Sequence, residues 1–263
     1  DGVLQEAWHL NNEFLRLCGV GVTGIVQRPD LTSYDWKNLR YSAVVAARNM
    51  GKELDLEFPK NITTVKPSGT VSKVMDTTEG IHKPLSKYMF NWQVLTKTDP
   101  IVPKLVEAGY KLINHPDDST AMLVCLPASF EYVDFDEVEV THKDGEKEMM
   151  EVNLDSAISQ LEKYKQLQMY YCDQNVSNTI SYDPSEKDKI IDWLLKNWEY
   201  YVGVSFLFRT DPTKDARDLG FQYLPQEPVS KETYEEYEAK LLPIDWSNTG
   251  ILDEEDMDEA DCD

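Results

Sequence analysis

The chain is poor in the residues that staple or metallate small folds. Its four cysteines, Cys18, Cys125, Cys172 and Cys262, form no Cys-x-x-Cys pair and no zinc-ligand spacing. That excludes the common zinc-site patterns, and scattered thiols in an acidic chain without a targeting signal fit the reducing cytosol (the host's, for a viral chain). Basic residues are also scarce, 26 Lys and Arg against 48 Asp and Glu, for a net charge of −22. Such a chain repels polyanions, so a nucleic-acid polymer is not an expected partner. A small anion remains an option, because it needs only a local nest of N–H groups and a cation or two. No apolar run approaches the roughly 20 residues of a membrane span, and the start lacks the pattern of a signal peptide, so no membrane association is expected. The first residue is Asp1, not methionine, and a fragment or processed product is expected. No internal repeat is found.

What is present is an alternation of helix and strand signals, which favours an α/β fold. Helical spacing is predicted over 3–17, with Leu4, Trp8, Leu10 and Phe14, and over about 35–52, with Trp36, Leu39, Ala43, Ala46 and Met50 on one side and Gly51 as cap. Between them, Gly19 to Val26 is Gly-rich and β-branched, a strand or loop where backbones approach closely. Strands are predicted over 61–66, 89–95, 121–126 (ended by Pro127), 175–182 and 204–208. Further helices are predicted over 100–108, 154–172 and 231–241, and from Asp183-Pro184-Ser185-Glu186, a cap followed by Pro at the first helical position. The charged stretch 131–152, with a turn at Lys143-Asp144-Gly145, reads as a surface insertion or a hairpin. Residues 253–263 hold eight acidic residues and almost nothing apolar, the composition of a disordered tail.

The most informative segment is Thr63-Thr64-Val65-Lys66-Pro67-Ser68-Gly69-Thr70-Val71-Ser72-Lys73. A β-branched strand runs into Pro-Ser-Gly-Thr. Pro67 ends the ladder, Gly69 permits a backbone that a Cβ would block, and Ser68 and Thr70 add hydroxyl donors. A helix starting near Thr70 would aim free N–H groups at the same point. Lys66 and Lys73 are candidate cations. An ordinary strand–turn–helix corner has the same local chemistry, and the Walker spacing is absent.

This segment, followed by Glu79-Gly80-Ile81-His82, resembles the substrate-phosphate loop of adenosylcobalamin-dependent (class II) ribonucleotide reductases, closest to the monomeric type that reduces ribonucleoside triphosphates. Gly19 to Ile25 is similar to the Gly-Ile-type strand before that loop. Asn175 to Ile180 looks like a later barrel strand. Gln226-Glu227-Pro228 with Lys231 to Tyr234 resembles the Pro-rich run before the tail, and Asp261-Cys262-Asp263 the start of a Cys-x-Gly-Gly-x-Cys ending.

The resemblance implies the C-terminal part of a ten-stranded α/β barrel over 1–220, a Pro-rich and helical extension over 221–252, and a truncated, mobile redox tail over 253–263. It implies substrate contacts from Pro67, Ser68, Gly69, Thr70 and Val71, and a redox shuttle at Cys262, re-reduced by thioredoxin or a similar dithiol. His82 is a candidate for the cofactor pocket beside the structural histidine it otherwise is. The implied activity is thioredoxin-dependent reduction of ribonucleotides to deoxyribonucleotides for DNA synthesis, by a thiyl radical that adenosylcobalamin generates. The family's Asn-Pro-Cys-Gly-Glu radical loop is absent. The radical cysteine therefore belongs to a missing N-terminal part, and this chain alone is expected to be inactive. Class I and class III reductases are the alternatives, although the Pro-Thr-Ala-Ser-like and glycyl-radical motifs they carry are absent; a non-catalytic nucleotide-phosphate-binding subunit is another. Cys18, Cys125 and Cys172 sit among apolar neighbours and are expected to be buried and inert. The Tyr170-Tyr171 and Tyr200-Tyr201 pairs are expected to pack rather than relay radicals.

Overall fold

A computed structural model describes residues 5–244 other than 70, 73, 74, 76, 144, 210, 212 and 215. In chain order its elements begin with helices α1 (Glu6–Leu15) and α2 (Ser33–Glu53), strand β1 (Tyr88–Thr96), helix α3 (Ile101–Glu107), and strands β2 (Leu112–Asn114), β3 (Ala121–Ser129), β4 (Asp136–Thr141) and β5 (Lys147–Val152). Helix α4 (Ala157–Tyr170), strand β6 (Thr179–Tyr182), helix α5 (Lys187–Lys196), strand β7 (Ser205–Phe208), helix α6 (Ala216–Leu219), strand β8 (Gln226–Pro228) and helix α7 (Lys231–Glu238) follow. The chain is thus α/β. No helix among the described residues is long and apolar enough to cross a membrane.

The chain divides into two compact units. The first comprises Asp1–Pro84, Phe130–Phe135 and Asn153–Asp211. Its extended segments run parallel: Val20 bridges Thr63, Val65 bridges Val176, and β6 pairs with β7 from Thr179↔Ser205 to Tyr182↔Phe208. Parallel neighbours need long crossovers, usually helical, and α2 and α5 supply two of them. The predicted strand 61–66 forms no continuous ladder. Its even residues face one neighbour, Ile62 O and Thr64 N bonding Val20, and its odd residues the other, Thr63 O and Val65 O accepting from Asp173 N and Ser177 N, because successive residues point opposite ways.

Helix α4 fills the middle of this unit. Ser156 caps it, accepting from Ser159 N, and Ala157, Leu161, Tyr164 and Leu167 are fully buried along one face. Each large side chain so buried is worth about 1.5–3 kcal/mol. They meet Trp36, Val65, Val176, Ile180, Ile190 and Trp193 in one core. Asp183 and Glu186 form a reciprocal cap as the sequence predicts, although the first turn is a 3₁₀ turn over Pro184–Glu186 before α5. Glu186 Oε1 also accepts from Ala157 N at 2.9 Å, which ties α5 to the start of α4. One tyrosine of each pair packs on aromatic neighbours, Tyr171 meeting Trp36 edge-on at 5.8 Å and Tyr201 lying tilted on Trp193 and edge-on to Trp198, whereas Tyr200 is exposed.

Two expectations about packing fail. Helix α1 forms but buries none of its residues, and Trp8 and Phe14 are about two-thirds exposed (65% and 63%). Helix α2 starts at a Thr32–Asp35 capping box and runs past Gly51 to Glu53, with only Trp36 and Gly51 buried. The amphipathic spacing is sound in both. It predicts a face, not the presence of a neighbour.

The second unit comprises Leu85–Ser129, Asp136–Val152 and the described part of Pro212–Asp263. It is an antiparallel sheet of order β2-β3-β1-β8 with a separate β4–β5 hairpin, the hairpin expected from the charged stretch. Pro127 does not end β3, which continues to Ser129. Beyond Val124 only β1 pairs with it, so Pro127 faces an open edge where no N–H is needed. Trp92, Leu123 and Cys125 form the core, with Tyr237 of α7 packed on it. His142, which has no ligand-like spacing in the sequence, is buried between two carboxylates, Glu148 at 2.6 Å and Asp218 at 2.8 Å.

Candidate functional site

The candidate site lies in the first unit, where the chain leaves the parallel array after Val65. Val65 is fully buried, and its carbonyl accepts from Ser177 N at 2.8 Å. Beyond it Lys66 and Pro67 are exposed, and Ser68 and Gly69 are half-buried. Pro67 cannot extend a ladder, and the chain turns at once. Val71 N donates to Ser68 O at 3.1 Å, closing a four-residue turn. Gly69 sits at φ +53°, in the left-handed region, and a Cβ built there would meet no atom within 4 Å. Ser72 is fully buried and its hydroxyl donates to Gly69 O at 2.6 Å. Val71 and Ser72 are helical, and Met75 N donates to Val71 O. The expected strand–turn–helix corner is therefore formed. Thr70 and Lys73 lie outside the described residues.

One side of this turn is held. Ser68 Oγ lies 2.6 Å from Thr23 Oγ1, and Thr23 Oγ1 donates to Thr78 O at 2.7 Å. The other side, above Gly69, is open. What it offers is a short stretch of backbone, the hydroxyl of Ser68 and the exposed Val71 at its far edge, which suits a small anion and not a bulky apolar group.

His82 lies at the far end of the same segment. Its Nε2 accepts from Thr179 N at 3.0 Å, so that nitrogen carries no proton. Burial holds the imidazole below its ordinary value, against the opposing pull of Glu79. The ring is neutral near pH 7, and Nε2 is engaged with β6. Among the described residues, no group of three or more His, Cys, Asp or Glu could hold a metal ion.

The thiols behave as the sequence predicts at two of three places. Cys125 and Cys172 are buried, and burial pushes both upward, Cys125 to about 11. Neither is a nucleophile at neutral pH. Cys18 is only half-buried, because the segment around it borders the exposed α1. Cys262 and the acidic tail lie outside the described residues.

No protein-family model matches the chain. Curated relatives do. It is 30% identical over 231 residues to the adenosylcobalamin-dependent ribonucleoside-triphosphate reductase of Lactobacillus gasseri, covering 85% of this chain and 28% of that protein. It is 29% identical over 211 residues to a probable reductase of the same name from Dictyostelium discoideum, covering 79% of this chain and 25% of that one. Among solved structures it matches a B12-dependent (class II) ribonucleotide reductase with a TM-score of 0.73 and 21% identity, over 90% of this chain and 35% of the other. This chain is a relative of the adenosylcobalamin-dependent ribonucleotide reductases. It spans little more than a quarter of the curated reductases it matches.

Three residues that fix the loop in this reductase relative escape a reading of the sequence. Thr23 bonds Ser68 from 45 positions away. Gln27 takes the amide of Thr78 at 3.2 Å and the hydroxyl of Thr77 through one side-chain oxygen. Asp173 accepts from Ile62 N and Thr63 N and pairs with Arg40, pinning the segment that leads to the loop. Burial alone would raise the Asp173 carboxyl; the two backbone donors and Arg40 outweigh it and hold the group below its ordinary range. A Thr in a Gly-rich run and an Asp after a helix carry no local sign of these partners. The faint signal available was the clustering of Gly19, Gly21 and Gly24 before Ile25, which announces close backbone approach without naming what approaches.

Proposed function

We propose that this chain is one part of an adenosylcobalamin-dependent ribonucleotide reductase and that Pro67–Val71 holds the phosphates of a ribonucleotide, a triphosphate by the names of the curated relatives. The observation that carries the proposal is the Ser68–Gly69 turn. It follows a buried parallel segment, presents a hydroxyl, and is open where a side chain would otherwise stand. A phosphate oxygen there would accept from Ser68 and from backbone amides of the turn. Pro67 stiffens the entrance, and Val71 closes the far edge. The protein's share of the chemistry at this place is binding and orientation, which holds the ribose at a fixed distance from the radical site.

The remainder of the reductase is the expected partner. Parallel strands are normally covered on both faces, yet β7 is exposed at all four positions, including Phe208 at 64%. The unburied face of α1 adds to this unpaired surface. In the proposed assembly the first unit contributes four adjacent segments to a ten-stranded barrel, and the radical cysteine comes from the other part. Cys262 would serve as half of a tail disulfide renewed by thioredoxin. Cobalamin supplies the radical. The candidate contact in this chain, His82, spends Nε2 on Thr179 and is better suited to anchoring the loop segment to β6. Most of the cobalamin surface is assigned to the missing part.

Mixing this chain with the missing N-terminal part, a ribonucleoside triphosphate, adenosylcobalamin and a dithiol is expected to yield deoxynucleotide, where either part alone yields none. A folded, complete reconstitution without turnover would refute the reductase role.

A further inference from the structure

We propose that Thr23 is a positioning residue for the anion loop, one that sets which way the Ser68 hydroxyl points its proton. The inference rests on the phosphate role of that loop. Each hydroxyl has a single proton to give. Thr23 gives its own to the carbonyl of Thr78 at 2.7 Å. The 2.6 Å contact between the two hydroxyls therefore has Ser68 donating to Thr23. In the ligand-free protein the Ser68 proton is thus turned inward, and the oxygen it shows to an approaching anion is an acceptor, which repels it.

An anion reverses the pair. Ser68 rotates its proton to the anion, and Thr23 rotates its own to Ser68 Oγ. No covalent bond changes and no net proton moves. The reversal leaves nothing stranded, because Thr78 O keeps a second donor, Gly24 N at 2.9 Å. Thr78 cannot drift either, since its amide is held by Gln27 Oε1 at 3.2 Å. A hydroxyl that accepts one hydrogen bond is a better donor of the next, but the reversal gives up two bonds, Ser68 to Thr23 and Thr23 to Thr78 O, so Thr23 on balance holds the Ser68 proton back from the anion. Hydroxyl, carbonyl and clamp all come from 23–27 and 77–78, fixed to each other independently of the loop.

The test is titration of the 263-residue chain with inorganic tripolyphosphate by calorimetry, for the parent, Thr23→Val, Thr23→Ser, Ser68→Ala and the Thr23→Val/Ser68→Ala double variant. Thr23→Val keeps the shape and removes the hydroxyl, and is expected to tighten binding roughly three- to ten-fold, the size of one neutral hydrogen bond, because Ser68 then gives up no bond to Thr23 when it turns to the anion. Thr23→Ser stays at the parent value, and Thr23→Val changes nothing further once Ser68 is alanine. A merely structural threonine would instead give a loss that persists in the Ser68→Ala background, and that additivity overturns the proposal. So does parent-like binding by Thr23→Val while Ser68→Ala is impaired, which leaves the phosphate role intact. Failure of the parent to bind, or of Ser68→Ala to weaken it, overturns the phosphate role and this inference together. Should Thr23→Val not fold, Thr23→Ala, which vacates space instead of filling it with a methyl, takes its place in the same cycle.

Discussion

Alanine at Gly69 and at Gly24 separates backbone strain from crowding and tests whether the loop is open. Both glycines lie in the left-handed region, φ +53° and +69°. A non-glycine residue there costs about 1–2 kcal/mol, and a stiffer unfolded chain returns roughly 0.4–1 kcal/mol of it. At Gly69 nothing else is added, since a Cβ meets no atom within 4 Å. The expected loss is therefore about 1 kcal/mol. At Gly24 the Cβ lands on Thr77 Oγ1, and Gln27 Oε1 stands 3.1 Å away. Thr77 is short and already bonded to Gln27, so it cannot swing clear. Overpacking of this kind costs about 1–3 kcal/mol more, for a total of roughly 2–4 kcal/mol. Urea unfolding followed by circular dichroism reads both values. Gly69→Asn should fall closer to the parent, because Asn tolerates this conformation. The ranking reverses for ligand: Gly69→Ala places a methyl on the open side and should weaken tripolyphosphate more than its stability loss suggests. Equal destabilisation by the two alanines would mean that the loop is packed over, and the proposed anion site would have no entrance.

Ser68→Ala should weaken tripolyphosphate by about 1.5–3 kcal/mol, the range for a hydrogen bond to a charged group, as measured by calorimetry. Asp173→Asn should cost about 1.5–3 kcal/mol of unfolding free energy, since it loses a charge-assisted contact with Arg40 and weakens the hold on Ile62 N and Thr63 N. The same carboxyl gives a pH signature. Its folded value lies below its unfolded one, so its contribution is complete above the unfolded value of about 3.9 and is lost as pH falls through the folded value. Asp173→Asn should flatten that acid limb in pH-dependent melting. Cys125 and Cys172 should resist iodoacetamide at pH 8 in the folded chain while Cys18 reacts, with urea abolishing the difference; mass spectrometry locates the label. His142→Ala removes the group between Glu148 and Asp218 and should destabilise the second unit by about 1.5–3 kcal/mol in urea unfolding, the range for a lost hydrogen bond to a charged group, with Asp218 keeping the amide of Lys143.

The sequence by itself determined the longer helices and strands and their order, but not the short β2, α6 and β8. Periodicity marked α4 and its buried face, Asp183 to Glu186 announced the cap before α5, and the charged stretch 131–152 contained the hairpin. Pro67, Ser68 and Gly69 declared a corner, because a missing N–H, a hydroxyl and an absent Cβ act within a few residues of chain. Partners were not legible. That Thr23 meets Ser68, that Asp173 holds Ile62 and Thr63, that His82 turns its nitrogen to Thr179, and that α1 keeps Trp8 exposed all depend on what lies across the fold. Local pattern is written in the covalent chain, whereas these contacts join residues tens to more than a hundred positions apart. A side chain's hydrogen bonds and burial are fixed by neighbours in space, and only the packing of helices against the parallel segments brings those neighbours together.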